Sequence, residues 1–115
     1  MQYKTHNDID IDPSGTCLQG YIGTTYDTLV KKLGESATKW TDNYKTDAEW
    51  FVEFKDGTIA TIYNWKNGKN YLGVSGKAKE DIQEWNVGGY SNRAVELLDN
   101  ALKANNYTTK TLFNR

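Results

Sequence analysis

The spacing of apolar residues along this chain switches between the helical and the strand period. Tyr26, Leu29, Val30 and Leu33 fall at i, i+3, i+4 and i+7, the stripe of an amphipathic helix. Thr24 or Thr25 is placed to cap its start, and Gly34 follows Lys31 and Lys32 at its end. Ahead of it, Thr16 to Ile22 reads as a strand. Ala48, Trp50, Val52 and Phe54 alternate with Asp47, Glu49 and Glu53, a strand with one face buried and its acidic face wet. Lys55-Asp56-Gly57 supplies a hairpin turn, because Asp-Gly tolerates the positive φ such turns need. Thr58 to Trp65 returns as the partner, with Ile59, Tyr63 and Trp65 on one face and Ala60 and Ile62 on the other. Ile82 to Val87 is a shorter strand. From Ser91 to about Lys103 the helical stripe resumes through Ala94, Val95, Leu98, Ala101 and Leu102. Residues 35–46 read as loop, and Tyr107 to Arg115 as an edge strand or an arm that grips another subunit. The order β-α-β-β-β-α predicts an α+β fold, a small, largely antiparallel sheet with two helices packed on one face.

Composition narrows the class. The 115 residues suffice for one domain and one core, and the pattern leaves open whether residues 1–15 are ordered. The chain is polar, yet it carries four Trp, eight Tyr and three Phe. Such rings either pack with their polar tips at the rim or stack something upon themselves. A net charge of −1 argues against a general DNA or RNA binder, which needs a basic surface. One cysteine excludes an internal disulfide, and one histidine leaves no His/Cys metal cage. No apolar run is long enough to cross a membrane and no secretory segment is evident, so the expected location is the cytoplasm of the cell that makes or hosts the protein.

Candidate chemistry is sparse. Asp8 to Asp12 alternates acid and isoleucine, but a calcium loop starting there would need glycine where Pro13 stands and glutamate where Gln19 stands. His6 has no predicted partner, and Cys17 reads as a small buried hydrophobe in a strand. Glu49 and Glu53 share a strand face about 13 Å apart along the strand, the ordinary arrangement of a solvated surface. Catalysis and a cofactor are therefore not expected.

Two segments carry more. Trp85-Asn86-Val87-Gly88-Gly89-Tyr90-Ser91-Asn92-Arg93 ends a strand and opens a helix. Its glycines would let a ligand approach, and uncapped N–H groups at a helix start attract anions. Tyr21-Ile22-Gly23-Thr24-Thr25-Tyr26 is a weaker copy. Trp65-Lys66-Asn67-Gly68-Lys69-Asn70-Tyr71 interleaves aromatics with lysines, and bases stack on such rings for about 1–3 kcal/mol each. If this loop and the Gly88-Gly89 turn lie at one end of the sheet, they form one pocket with Arg93. A guanidinium in the first turn of a helix opposes the helix dipole unless an anion or carboxylate answers it.

Five stretches, Leu-Gln-Gly-Tyr (18–21), Leu-Gly-Glu (33–35), Asp-Ala-Glu-Trp (47–50), Ile-Tyr-Asn-Trp-Lys (62–66) and Trp-Asn-Val-Gly-Gly (85–89), carry a resemblance to a family of small phage and viral proteins. The likeness spans about residues 16–102 and is with the anti-CBASS sponge family. It implies a non-enzymatic protein that assembles as a homo-oligomer and sequesters cyclic dinucleotides such as cyclic GMP–AMP. A host immune effector is thereby starved of its signal.

The contacts themselves are expected from side-chain chemistry, not from the resemblance. Trp65, Tyr71 and Trp85 would stack bases, Lys66, Lys69 and Arg93 would answer phosphates, and Ser91 and Thr24 would donate to them. Asn64, Asn70 and Asn86 would read base edges. The competing expectations are a small viral inhibitor that binds a host defence protein directly, with exposed Trp and Tyr as anchors, and a nuclease or phosphodiesterase.

Overall fold

The computed structural model describes residues 2–8, 11–37 and 44–103. Its strands are β1 (Tyr3–Thr5), β2 (Cys17–Gly23), β3 (Glu49–Phe54), β4 (Ile59–Tyr63) and β5 (Glu84–Gly89). The helices are α1 (Tyr26–Leu33), α2 (Lys69–Leu72) and α3 (Arg93–Lys103), with short 3₁₀ turns at Gly73–Ser75 and Lys79–Asp81. The five strands form one sheet in the order β1-β3-β4-β5-β2, and every neighbouring pair is antiparallel. The fold is α+β, as the periodicity predicts. No helix among the described residues is long and apolar enough to cross a membrane.

Local chemistry fixes α1 at both ends. Thr25, not Thr24, is the N-cap, and its hydroxyl accepts from the Thr28 N–H at 3.2 Å. Gly34 takes φ 88°, a left-handed conformation that favours glycine, and its N–H donates to the Val30 carbonyl. The carbonyls of Lys32, Leu33 and Gly34 would be orphans at a helix end. Instead Tyr3 Oη donates to Lys32 O, Asn7 Nδ2 to Leu33 O, and Trp50 Nε1 to Gly34 O. The edge strand β1, the turn that follows it and β3 thus lock the end of α1.

The core lies between α1, α3 and one face of the sheet. Trp50, Val52, Phe54, Ala60, Ile62, Trp85 and Val87 project from the strands onto Leu29, Leu33, Ala94 and Leu98, and all are essentially inaccessible to water. Burying an aliphatic or aromatic side chain of this size contributes about 1.5–3 kcal/mol, which is why α1 and α3 hold despite their short length.

Several expectations need correction. Tyr3–Thr5 is an edge strand, held by pairing with β3 and by the burial of Tyr3, too short to show a period in sequence. Gly88 and Gly89 are not a loop before a helix but the end of β5, buried between β2 and β4. Their glycine identity serves packing: a Cβ on Gly89 would stand 2.7 Å from the Ala94 Cβ, and one on Gly88 2.6 Å from Thr61 Oγ1. The aromatic and lysine loop contains the single turn α2. Cys17 begins β2 and is exposed, and Glu49 is only 4% exposed. His6 does have a partner, Glu53, at 3.1 Å. Tyr107 to Arg115 lies outside the described residues.

Candidate functional site

Strand parity sends Glu49, Thr61, Tyr63 and Gly88 to the sheet face opposite α1 and α3. There they form the floor of a hollow of about 300 Å³. One wall is the turn through Pro13, Ser14, Thr16 and Cys17, and the other is Thr46 with Trp65. The turn is fixed by its own hydrogen bonds. Ser14 N–H donates to Asp12 Oδ1, Thr16 N–H and hydroxyl both donate to Pro13 O, and Tyr90 Oη donates to Ser14 O. The opposite wall is fixed by Asn64. Its Oδ1 accepts from the N–H groups of Asp47 and Ala48, and its Nδ2 donates to Asp47 Oδ1 and Asn67 Oδ1. Thr46 Oγ1 donates to the Asn64 carbonyl at 2.9 Å.

The floor is rich in oxygen and carries one carboxylate, Glu49. No lysine or arginine among the described residues lines it. Thr61 is 3% exposed, and a Cβ on Gly88 would stand 2.6 Å from its hydroxyl oxygen. Burial pushes the Tyr63 phenol above its ordinary value, against a bond with the Asn86 side chain that pulls the other way, so the phenol stays protonated. At the rim, Trp65 is 41% exposed. Its ring meets Tyr63 edge-on at 6.1 Å, and the Lys45 ammonium sits 5.5 Å from its centroid.

The residues expected to bind ligand divide into groups. Of Trp65, Lys66, Lys69, Asn70 and Tyr71, Trp65 lines the hollow, and Asn70 donates to the carbonyl of Thr46 in its wall. Lys66 Nζ lies 5.7 Å from the Tyr71 ring, which packs on Tyr44. Asn86 is on the outer face opposite Tyr63. Asn64 is fully buried and engaged in holding the loop, so it is not presented to read a base, whereas Asn70 is exposed and donates to Thr46 O. Trp85 is sealed in the core, 5.4 Å from Trp50 and nearly perpendicular to it, and cannot serve as a stacking surface.

The expected convergence occurs only in part: Gly88 and Trp65 line the same hollow, but Arg93 and Ser91 do not join them. Arg93 and Ser91 sit at the hairpin end of the sheet, whereas Trp65 follows the other end of β4. Arg93 is answered by Asp56 at 2.6 Å, and the Ser91 hydroxyl accepts from the Arg93 N–H. The start of α1, with Thr24, is at the opposite sheet end from the start of α3, so the two helix starts cannot share a ligand within one molecule.

The sequence does not mark Glu49, Thr61, Tyr63, Thr16 and Cys17 as ligand-site residues: it places Glu49 on a solvated strand face and Cys17 inside a buried strand. Alternation assigns the first three to the outer face, but only the turn at 13–17, brought in by β2, makes that face a pocket. Neither a family model, nor a curated protein, nor a solved structure matches this chain.

Proposed function

We propose that the protein is a non-enzymatic binding module acting in the host-cell cytoplasm, which captures cyclic dinucleotide signals and so withholds them from a CBASS-type effector. The signal class comes from the sequence resemblance. The observation that carries the binding reading is the outer-face hollow, where a half-exposed indole borders a polar floor. At about 300 Å³ it stands at the lower end of small-molecule pockets, enough for one nucleoside unit. A two-base ligand then calls for two copies of the chain. The edge strand β2 supports this, because Cys17–Gly23 carries no charge and leaves Leu18 and Tyr21 about half exposed. The Lys45 ammonium lies over Trp65 at the rim, where a phosphate would remain in water-accessible space.

Calorimetry with cyclic GMP–AMP tests the proposal. The wild type is expected to bind and Trp65→Ala to lose binding with an unchanged circular dichroism spectrum. At a hundredfold excess over Kd the ligand adds about 2.7 kcal/mol of stability, readable as a thermal shift. Chromatography of the incubated ligand is expected to return it intact; a cleaved product would favour the phosphodiesterase reading. Absence of binding, or full binding by Trp65→Ala, overturns the site.

A second reading, direct inhibition of a host protein, draws on the α2 segment, where Leu72 is 45% and Val74 97% exposed. It predicts that Val74→Asp abolishes inhibition of the host response while leaving nucleotide binding intact.

A further inference from the structure

The loop from Gly68 to Lys77 is built as a rigid prong. Its two ends meet: Lys77 N–H donates to Asn67 O at 2.9 Å, Gly68 and Lys77 form an isolated parallel bridge, and a Cβ on Gly76 would overlap the Gly68 carbonyl. Closed surface loops of this length are compact and frequently functional. The prong is fastened to the body from below. The Asp47 carboxylate accepts from Asn64 Nδ2 and from the Asn70 N–H, and Asn70 Nδ2 donates to Thr46 O. Its tip holds Leu72 half-exposed and Val74 almost wholly exposed, and neither joins the core cluster. Single exposed aliphatics are ordinary; the surroundings set these two apart. From Trp65 to Lys79 the chain carries four lysines and no acidic residue, in a protein whose net charge is −1. Lys66, Lys69 and Lys77 are exposed, and the Gly68–Lys77 bridge sets Lys69 and Lys77 at the neck of the loop. Lys66 Nζ reaches the Tyr71 ring, which packs on the exposed Tyr44. The fourth, Lys79, lies over the Tyr26 ring, so the turn it shares with Glu80 and Asp81 packs against α1.

We infer that this prong docks the protein on an anionic lipid surface. Leu72 and Val74 enter the boundary of the acyl chains, Tyr44 and Tyr71 lie at the headgroup level that such rings prefer, and Lys66, Lys69 and Lys77 meet the lipid phosphates. Lysine suits that place, because its stem tolerates apolar surroundings while its ammonium stays in water. A bilayer fits the tip better than a protein socket does. Two aliphatic side chains present far less area than the roughly 800 Å² that each partner buries in a stable protein interface. A bilayer also needs no matching concavity, and its negative headgroups complement a segment without acids. The attachment is peripheral, since no helix among the described residues is long and apolar enough to span a membrane. It is independent of the nucleotide-binding reading, because neither tip residue lines the hollow.

Sedimentation of the full chain with lipid vesicles tests this. Vesicles of phosphatidylcholine with about 30% phosphatidylglycerol should bind the protein about tenfold more tightly than phosphatidylcholine alone, and raising the salt from about 0.05 to 0.5 M should remove most of that difference. Val74→Asp changes a side chain that already stands in water, so the circular dichroism spectrum should persist while binding falls about tenfold. Val74→Trp widens the apolar tip and should tighten binding. The double variant Lys69→Glu with Lys77→Glu should bind as poorly as Val74→Asp. Lys31→Glu, which reverses one exposed charge on α1, should leave binding within about twofold. Equal binding to both kinds of vesicle, or a loss from Lys31→Glu as large as that from Val74→Asp, overturns the inference. Binding lost with Lys69 and Lys77 but kept by Val74→Asp overturns it too, since a purely electrostatic contact of that kind suits an acidic protein. If no vesicle binds the wild type, the membrane reading falls and the tip is left to a host protein.

Discussion

Arg93 and Asp56 clasp the hairpin end of the sheet, with Arg93 Nε donating to Asp56 Oδ2 at 2.6 Å. The bond ties the first turn of α3 to the β3–β4 turn, where Asp56 Oδ1 also accepts from the Thr58 N–H. A guanidinium that opposes the helix dipole thus finds its anion within the molecule.

The Arg93 bond, then the bonds from Thr58, hold the Asp56 carboxyl down to about 2. Because the folded value lies below the ordinary 3.8, the stabilisation is fully present above about pH 4 and fades as the pH falls toward 2. Arg93→Ala should raise the midpoint toward the ordinary range, as followed by the carboxyl carbon resonance of Asp56. Nucleotide affinity should not change, since Arg93 is remote from Trp65. An unmoved midpoint would disprove the pairing in solution.

Removing Asn64 should cost far more than its small size suggests. Asn64→Ala strips the partners from the buried Ala48 N–H and from Asp47, for an expected loss of about 2–3 kcal/mol in urea unfolding. The same substitution frees the loop that carries Trp65, so ligand affinity should drop with it. A loss under about 0.5 kcal/mol would mean that the network forms no rigid wall.

Trp50 and Trp85 touch in the core but differ in one bond. The Trp50 indole donates to Gly34 O at 2.8 Å, whereas the buried Trp85 Nε1 has no partner among the described residues. Trp50→Phe discards a hydrogen bond and bares a helix-end carbonyl, while Trp85→Phe removes an unsatisfied donor. Denaturation should therefore show Trp50→Phe to be the more damaging by about 1 kcal/mol. Equal losses would argue that Trp85 Nε1 is bonded in solution.

Gly89→Ala probes the contact between β5 and α3. Its new methyl would meet Ala94 Cβ at 2.7 Å and the Ile59 carbonyl at 3.0 Å, and the carbonyl belongs to the backbone. Overpacking of this kind costs about 1–3 kcal/mol, and a lowered Tm is the expected result. A Tm equal to that of the wild type would show that α3 rides loosely on the sheet.

Elements whose causes are local were legible in the sequence. Thr25, Gly34 and the 3.6-residue stripe define α1 within a few positions, and alternation defines β3 and its hairpin partner. Elements with distant causes were not. β1 exists because Tyr3 reaches Phe54 and Lys32, and no three-residue segment advertises that. Gly88 and Gly89 look like a ligand loop but answer to Thr61 and Ala94. The candidate site divides in the same way. Trp65 was found because its neighbours make it a loop aromatic, whereas Trp85 has equal stacking chemistry and is spent in the core. Glu49 looked solvated because parity tells which face a side chain takes, not what later covers that face.

The sheet order also dictates a sequence of events during synthesis. β3 and β4 can join as soon as their hairpin emerges, but β2, among the described residues, has no strand to pair with until β5 arrives. The nascent chain therefore carries an uncharged, unzipped strand for most of its elongation. Refolding should be governed by that late closure, and truncation before β5 is expected to yield chains that aggregate instead of chains that are merely less stable.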